Sequence, residues 1–239
     1  MLIEFKNVSK SFKKQQVLKE INLQIKEDEI FGIIGPSGAG KTTLIRLLIG
    51  AISADEGNIH LSNYQIPDLQ ALNILGYMPQ NDALYHDLSG EDNLLFFGGM
   101  YQQLKKAELI HRVKEVLELV ELSSDAKKKV IHYSGGMKKR LSLAAALLHS
   151  PRVLILDEPT VGIDPLLRKK IWDEFYELKK QGKTIIVTTH VMDEAVKCDR
   201  LALLYNGNII ACDEVEALLN QTKNHSVEEL FLEQGGKQV

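Results

Sequence analysis

The stretch GPSGAGKT, Gly35 to Thr42, fits the pattern G-x-x-x-x-G-K-[ST] at every defined position. In this phosphate loop, the glycines let successive backbone N–H groups curl round phosphate oxygens. Lys41 can bridge the outer phosphates, the Thr42 hydroxyl can hold Mg²⁺, and Thr43 adds a donor near the inner phosphate. A glycine turn between a strand and a helix is the alternative without chemistry. The predicted nucleotide-binding residues of the loop are Gly35, Pro36, Ser37, Gly38, Ala39, Gly40, Lys41, Thr42 and Thr43.

Two adjacent carboxylates end the apolar run VLILDE, Val153 to Glu158. Because side chains alternate along a strand, the two carboxylates need not share a role. Asp157 can face the phosphate loop and position Mg²⁺, while Glu158 can face outward and polarise an attacking water. The alternative is a surface acidic pair that caps a sheet, which the presence of a phosphate loop in the same chain disfavours.

Single polar residues follow two further strand-like runs: Gln80 ends ILGYMPQ and His190 ends TIIVTTH. Alone, each is more often a residue without chemistry. In parallel α/β sheets, however, the carboxyl ends of the strands line the ligand crevice. We therefore expect both residues to converge with the phosphate loop and the acidic pair. Gln80 would sense Mg²⁺ or the lytic water, and His190 would contact the terminal phosphate.

A second candidate anion site lies much later in the chain, in YSGGMKKR, Tyr133 to Arg140. Ser134 and two glycines open a segment with helical spacing, and a helix start offers free N–H groups and a partial positive charge. The next residues are basic, and we expect them to form a solvated face of that helix: Lys138, Lys139 and Arg140.

The elements that must position these residues can be read from hydrophobic patterning. Strands are predicted for IEFKNVSKSF, QVLKEINLQI, EIFGII, GNIHL, ILGYMP, VLIL and TIIVTT. The last two are uninterrupted apolar runs, which is typical of strands buried on both faces of a parallel sheet. In RLALLYNGNIIAC, Asn206-Gly207 lies between two apolar runs and predicts a β-hairpin.

Helical patterning dominates from about residue 89 to residue 150 and returns after the acidic pair. PLLRKKIWDEFYELKKQG predicts a crossover helix that ends near Gly182. The last segment, from VEALL onward, predicts short helices and a loose tail.

The composition suits a globular α/β protein, with 239 residues of which 44% are hydrophobic and 26% are charged. A net charge of −3 gives no basic field that would indicate nucleic acid or an acidic membrane surface. Cys198 and Cys212 lack metal-ligand and redox-pair spacing and suit a reducing compartment. The start does not read as a signal peptide, and no apolar run approaches the roughly 18 residues of a membrane span. We therefore expect any membrane role to come through a partner chain.

Over nearly the whole length of the chain, these motifs resemble those of the ATP-binding subunits of ABC transporters, in the same order. GPSGAGKT matches Walker A, and VLILDE matches Walker B with its catalytic glutamate. Gln80 stands at the Q-loop and His190 at the switch histidine. VGIDP matches the D-loop with Asp164 at its acidic position, and YSGGM matches the signature motif, usually written LSGGQ. Phe12 falls where the family places an aromatic ring against adenine, although it could also be a core residue.

The resemblance implies an α/β fold: a P-loop NTPase core with a mainly parallel sheet, an N-terminal antiparallel β subdomain and an inserted helical lobe. A single domain would span residues 1–239, with the core and β subdomain in 1–80 and 151–220. The helical lobe would occupy about 89–150, and the C-terminal tail 221–239.

It also implies that two such subunits dimerise head to tail, so that each ATP lies between one phosphate loop and the other chain's signature turn. The residues of that signature turn, which act in trans, are Ser134, Gly135, Gly136 and Met137. Glu158 would be the general base, with His190 and Gln80 completing the catalytic set. Mg²⁺ would be held by Thr42, Gln80 and Asp157. The ligands are then ATP and Mg²⁺.

The implied partners are a second ATP-binding subunit, identical or different, and a separate multi-span membrane permease, with no nucleic acid. The chain would then lie in the cytoplasm against the inner face of the cell membrane. The permease would enter the groove between lobe and sheet. Candidate contacts there, most of which are expected to pack the lobe's own core instead, are Tyr85, Leu88, Leu94, Phe96 and Phe97.

The signature departs from the family pattern in two places, because Met137 replaces the usual glutamine and Tyr133 replaces the usual leucine. The sequence YSGGM resembles the signature motif of the branch of the family that exports drugs, antibiotics or polymers. Three alternatives remain open: an importer ATPase, a non-transport ABC ATPase such as one for cluster assembly, and a nucleotide-binding scaffold without turnover. Intact Glu158 and His190 argue against the scaffold.

Overall fold

The computed structural model describes residues 1–101 and 105–235, which form two β-sheets and a set of helices. The strands are β1 Ile3–Phe12, β2 Gln15–Ile25, β3 Ile30–Ile34, β4 Glu56–Leu61, β5 Tyr64–Ile66, β6 Leu75–Met78, β7 Val153–Asp157, β8 Thr184–Thr189, β9 Arg200–Tyr205 and β10 Asn208–Glu214. The helices are α1 Lys41–Leu48, α2 Gly90–Gly98, α3 Lys106–Leu119, α4 Gly135–Leu147, α5 Pro165–Lys180, α6 Met192–Ala195, α7 Val215–Leu219 and α8 Val227–Gly235.

The larger sheet has six strands in the order β10-β9-β3-β8-β7-β6. All neighbours in it are parallel except β9 and β10, which form an antiparallel hairpin at one edge. Every residue of β3, β7 and β8 is buried, as continuous apolar runs in a parallel sheet require. Both the predicted mainly parallel sheet and the predicted hairpin are confirmed.

The hairpin turn uses the two residues that its backbone demands. Asn206 and Gly207 have φ angles of 47° and 79°, the positive values of a type I′ turn. A Cβ atom on Gly207 would lie 2.5 Å from the carbonyl oxygen of Val17, so a side chain here would push the hairpin away from β2. Gly207 therefore serves both the turn and the contact between the two sheets.

The smaller sheet is antiparallel, in the order β2-β1-β4-β5, and confirms the predicted N-terminal β subdomain. Its inner face shares a hydrophobic core with α1 and with one face of the larger sheet. Phe5 and Leu23 from the smaller sheet join Leu44 of α1 and Phe31 of β3 in this core. α1 is thereby fixed directly behind the phosphate loop.

The other face of the larger sheet is covered by helices α2 to α5, which share a second core. Its largest side chains include Trp172 and Phe175 of α5, whose rings meet edge to face with centroids 5.5 Å apart. Leu141 of α4 and Val116 of α3 extend the same core into the helical region. The helices predicted between about residues 89 and 150 are confirmed as α2, α3 and α4. The segment 102–104 within that region and residues 236–239 of the predicted tail lie outside the described residues.

Two short elements were not predicted: β5, of three residues, and α6, of four. Periodicity has little to act on over so few residues. In the two described segments, no helix combines the length and the apolar character that crossing a bilayer requires.

Candidate functional site

The phosphate loop joins the buried strand β3 to the start of α1, which begins at Lys41. Gly40 takes φ +112°, in a region that L side chains rarely adopt, and a Cβ atom there would lie 2.8 Å from the Leu18 side chain. A Cβ atom on Gly38 would meet nothing within 4 Å, because this glycine borders open space. The loop is therefore accessible at residues 36–38, while residues 39 and 40 are buried.

A cavity of about 350 Å³ lies over this loop. Six of the nine predicted loop residues border it, together with Val17, Gln80 and Glu158. The position of Gln80 and Glu158 here agrees with the expected convergence at the strand ends. Val17 was missed, since nothing in its own segment shows that β2 passes beside a loop some twenty residues later.

Lys41 is buried, and its Nζ donates hydrogen bonds to the carbonyl oxygens of Gly35 at 2.6 Å and Pro36 at 3.1 Å. Burial lowers the pKa of this ammonium, while the nearby carboxylates of Glu158 and Asp157 act to raise it. A buried cation whose hydrogen bonds go to neutral carbonyls gains stability from an anion placed beside it. The loop therefore presents a desolvated positive charge to a phosphate.

Thr42 and Asp157 form the side of the cavity where two oxygen ligands meet. The Thr42 hydroxyl donates to Asp157 Oδ2 at 3.0 Å, and the Thr188 hydroxyl donates to the other carboxylate oxygen. Hydroxyl and carboxylate oxygens are hard ligands of the kind Mg²⁺ prefers, usually with substrate phosphates completing the shell. This donor pair fits the predicted metal site. Across the described segments, no group of three or more His, Cys, Asp or Glu side chains is arranged to hold a metal ion by itself.

Glu158 occupies the position expected for a base and is held on two sides. Its Oε2 accepts a hydrogen bond from Gln80 Nε2 at 3.0 Å, and its Oε1 lies 3.0 Å from His190 Nδ1. The structure thus brings together the three residues predicted as catalytic. The Gln80 amide nitrogen is directed at this carboxylate, so a metal-ligand role for Gln80 would use its amide oxygen and stays a prediction.

The backbone at Glu158 is also unusual, with φ 54° in the left-handed region. A residue with a Cβ atom adopts that region at an energetic cost, so surrounding contacts must hold it there. Its N–H donates to the carbonyl oxygen and the hydroxyl of Thr188, each at 3.1 Å. The end of β7 is therefore anchored to β8 at the residue that carries the carboxylate.

Phe12, predicted to stack on adenine, ends β1 with 43% of its surface exposed, and Lys10 Nζ lies 5.6 Å from the ring centroid. The alternative of a core residue is therefore wrong for Phe12. The exposed ring is free to stack on a flat ligand, and that role stays a prediction.

Ser134 and Gly135 of the signature turn are exposed, Gly136 and Met137 are half-buried, and none of the four borders the cavity of its own chain. Ser134 is the N-cap of α4, and its hydroxyl accepts a hydrogen bond from the Met137 N–H at 3.2 Å. Helix geometry leaves the N–H groups of Gly135 and Gly136 without intrahelical partners. A Cβ atom added to Gly135 would meet nothing within 4 Å. The turn therefore forms an open anion cradle on the surface, away from the phosphate loop.

The two residues that depart from the usual signature sequence both pack inside the helical region. Tyr133 is buried, and its hydroxyl donates to the Asp125 carbonyl oxygen at 2.8 Å. Met137 is half-buried and packs against the larger helical core. Both substitutions therefore act within the helical region, and the exposed part of the turn keeps the serine and the two glycines.

The expectation of a solvated basic face after the turn is wrong for two of its three residues. Lys139 Nζ donates to the backbone carbonyl oxygen of Glu158 at 2.8 Å. Arg140 donates to the carbonyl oxygens of Val120 at 2.9 Å and Glu121 at 3.0 Å, where α3 ends. The reason is that α4 packs against α2 and α3 as well as against β6 and β7, so that successive residues face different neighbours.

Asp164, predicted at the D-loop, is exposed and caps α5 by accepting a hydrogen bond from the Leu167 N–H at 3.0 Å. Pro165 follows at the first helical position, as this kind of helix start favours. The structure does not bring Asp164 into the cavity of its own chain. Any contact of Asp164 across a dimer stays a prediction.

The lobe residues proposed as permease contacts separate into two groups. Leu94 is fully buried and belongs to the core, so it is not available as a contact. Tyr85 and Phe96 are 49% and 42% exposed, with ring centroids 4.7 Å apart, while Leu88 and Phe97 are half-buried. The exposed aromatic pair is the part of this prediction that the structure leaves accessible.

Comparison with known proteins places the chain beside ATP-binding transport proteins. Residues 18–161 match the family described as ABC transporter. The Linearmycin resistance ATP-binding protein LnrL of Bacillus subtilis (strain 168) is 41% identical over 213 residues, covering 88% of this chain and 68% of that protein. The Nod factor export ATP-binding protein I of Sinorhizobium fredii (strain NBRC 101917 / NGR234) is 40% identical over 232 residues, covering 96% of this chain and 67% of that protein.

Among solved structures, a dimeric ATP-binding cassette in a post-hydrolysis state, bound to ADP and Pi, has a TM-score of 0.83 to this chain at 29% sequence identity. The alignment covers 89% of this chain and 98% of that one. The family match includes the phosphate loop, the signature turn and the pair Asp157 and Glu158, and it ends before His190.

Proposed function

Because the chain belongs to the ABC transporter family, we propose that it powers export through a separate membrane permease. It is an ATP-binding and ATP-hydrolysing subunit. The observation that carries the proposal is the Glu158 carboxylate, held at 3.0 Å by both Gln80 and His190 at the phosphate-loop cavity. Two observations support export as the direction of transport: the similarity to the Nod factor export ATP-binding protein I and the sequence YSGGM of the signature motif.

Hydrolysis at this site depends mainly on positioning and on neutralising charge, because phosphoryl transfer needs little covalent help from a protein. The backbone N–H groups of the phosphate loop and the Lys41 ammonium bind the phosphates. Glu158 accepts the proton of the attacking water, and its contacts to Gln80 and His190 fix its direction. The other ring nitrogen of His190, Nε2, is available to stabilise negative charge on the terminal phosphate.

We propose that Mg²⁺ accompanies ATP and is held by Thr42 and Asp157. Their two oxygens already lie 3.0 Å apart, and Asp157 is buried and further held by Thr188. When bound, the ion neutralises charge that develops on the transferred phosphoryl group. The chain's own part is to keep the Thr42 hydroxyl and the Asp157 carboxylate directed at the phosphates.

We also propose that two copies of this fold, identical or different, close head to tail round two ATP molecules. The exposed signature turn supports this arrangement, since Ser134, Gly135 and Gly136 form an anion cradle with no phosphate loop beside it. The dimeric ABC cassette bound to ADP and Pi is a precedent in a similar structure. ATP would then bias a two-state equilibrium, because its terminal charge is satisfied only when both cradles meet.

The partner that receives the motion is proposed to be a multi-span permease, with this chain on the inner face of the cell membrane and without nucleic acid. A groove of about 670 Å³ runs between α4, β6 and the segment that follows Gln80. Leu69 and Met100 at its rim are 84% and 60% exposed. The segment that follows Gln80 borders this groove. A permease helix bound in the groove could therefore affect the position of Gln80 at the nucleotide site.

The domain organisation remains part of the proposal. A single ATP-binding domain would span 1–239, with core and β subdomain in 1–80 and 151–220, a lobe at about 89–150 and a tail in 221–239. The two hydrophobic cores support it, because one joins the β subdomain to the central sheet and the other joins the helices of the lobe to the opposite face.

The test replaces the native chain in cells by the Glu158→Gln variant and measures growth against a panel of antibiotics and the intracellular accumulation of fluorescent drugs. An exporter predicts hypersensitivity and raised accumulation, with normal growth when nutrients are scarce. The opposite pattern, normal drug resistance with a growth defect on a limiting nutrient, would indicate import. The surface variant Glu177→Gln, which changes a carboxylate paired with Lys180, is the matched control.

A further inference from the structure

The carbonyl oxygen of Glu158 is held by a residue that the reaction outlined above does not use. Lys139 Nζ donates to it at 2.8 Å from α4, in a half-buried position. The N–H of Glu158 is held from the other side by Thr188 of β8. The left-handed backbone of the base is thus held between a neighbouring strand and one lysine of a helix.

That lysine lies on the same helix as the signature turn. α4 begins at Gly135, and Lys139 follows only five residues after the capping Ser134. At about 1.5 Å of rise per residue, the turn and the lysine are one and a half helical turns apart on a rigid element. A displacement or rotation of the signature turn therefore moves Lys139 with it.

Burial and nearby carboxylates act in opposite directions on the charge of Lys139, and burial is the larger effect. Burial lowers the pKa of its ammonium, and the carboxylates of Glu158 and Glu194 oppose that shift. Glu194 is itself buried and accepts hydrogen bonds from the hydroxyls of Thr160 and Thr189. Thr160 lies just after Glu158, and Thr189 just before the switch histidine. Lys139 therefore faces a buried carboxylate whose hydrogen bonds reach both segments of the catalytic set.

We propose that Lys139 is a positioning residue that couples the signature turn of a chain to the base of the same chain's own ATP site. Capture of the neighbour's ATP by Ser134, Gly135 and Gly136 fixes the start of α4. Lys139 then fixes the backbone of Glu158, so that each site becomes competent when the other is engaged. This inference rests on the proposed dimer and adds to it a route by which the two sites communicate.

Because Lys139 contacts the base, its loss is expected to lower the rate of hydrolysis and not the affinity for ATP. Moving a catalytic group by about 1 Å can reduce the rate on the order of a hundredfold, while the phosphate loop that binds ATP is unaffected. Within the described residues, the side-chain hydrogen bond of Lys139 goes to the carbonyl oxygen of the base and not to the phosphate loop. Its loss should lower kcat and cooperativity and leave KM for ATP almost unchanged.

The experiment compares steady-state ATP hydrolysis by the full-length wild type, Lys139→Met, Lys139→Arg and Lys138→Met. Lys138 is the matched control, because it is equally half-buried and its side chain makes none of the hydrogen bonds found within the described segments. We expect Lys139→Met to lower kcat about tenfold or more, with KM within about twofold and a Hill coefficient reduced toward 1. Lys139→Arg should restore most of both, since it keeps a charged donor, and Lys138→Met should match the wild type.

The inference is overturned if Lys139→Met keeps the wild-type kcat and Hill coefficient, or if Lys138→Met loses as much. Should Lys139→Met fail to fold, Lys139→Ala removes the donor with a smaller side chain, and wild-type kinetics in that variant would overturn the inference equally. A wild type without ATP hydrolysis or ATP-driven dimerisation would instead contradict the proposed function. A wild type with both, and an unaffected Lys139→Met, would remove only the coupling by Lys139.

Discussion

The phosphate loop and the signature turn both place glycines at the start of a helix, but the surroundings of the two helix starts differ. The first borders a cavity of about 350 Å³ and contains a buried lysine. The second lies at the surface with Ser134 and Gly135 exposed, and Ser134 caps the helix. A glycine-containing helix start therefore forms an enclosed anion site in the first case. In the second case it forms a surface site that can bind a phosphate held by another chain. This difference is the structural reason to expect that one nucleotide uses both.

The largest effect is expected at the residue that makes the enclosed site reactive. Glu158→Gln should lower kcat about a thousandfold, because an amide cannot accept the proton of water, while ATP affinity stays within about twofold. Steady-state hydrolysis and equilibrium binding of a fluorescent ATP analogue measure the two quantities. Undiminished hydrolysis would show that another group is the base. Glu177→Gln should leave both quantities unchanged.

A change in the open cradle should separate binding from turnover. Ser134→Arg should reduce hydrolysis about a hundredfold, because a long side chain blocks the approach of a second chain, while nucleotide binding by the monomer is preserved. The control is Ser124→Arg at another exposed serine of the lobe. Loss of monomer binding in Ser134→Arg would mean that the turn serves its own chain, and the contrast between the two regions would fail.

A change in the phosphate loop, in contrast, should weaken nucleotide binding as well as turnover. Lys41→Met should weaken ATP binding about thirtyfold even in the monomer, because a charge-assisted contact to phosphate is lost. Isothermal calorimetry at a protein concentration below that of dimerisation gives the affinity. Unchanged monomer affinity would contradict the role given to the buried ammonium.

The smallest effect is expected where the signature turn is tied to the lobe. Tyr133→Phe removes the donor to the Asp125 carbonyl oxygen and should lower the free energy of unfolding by about 1 kcal/mol. Urea denaturation measures it, and ATP binding should not change. A variant as stable as the wild type would mean that this hydrogen bond does not stabilise the lobe.

Much of the enclosed site could be predicted from sequence because its residues follow a common rule. Gln80, Asp157, Glu158 and His190 all lie at or just beyond the ends of parallel strands, and parallel strands place such ends on one edge. The hairpin at Asn206-Gly207 was equally accessible, since its signal is local. Contacts between helices and strands distant in sequence were not, because they depend on how α4 packs. Lys139 and Arg140 therefore read as solvated residues although both donate to backbone carbonyls.

The same limit explains Val17, which reaches the cavity only because β2 passes beside the phosphate loop. It also explains Leu94, whose burial is set by packing within the helical core. A sequence pattern shows that such residues are apolar, and the tertiary structure decides which of them lie inside. Asp164 illustrates a third case, since its role as a helix cap is local and its role across a dimer depends on a second chain.

A structure of the Glu158→Gln protein with ATP and Mg²⁺, by crystallography or electron cryomicroscopy, tests the central claim most directly. We predict a dimer in which the terminal phosphate lies within about 3 Å of donors from the phosphate loop of one chain and from Ser134 and Gly136 of the other. A terminal phosphate exposed to bulk water, with every signature turn remote from nucleotide, would contradict the account.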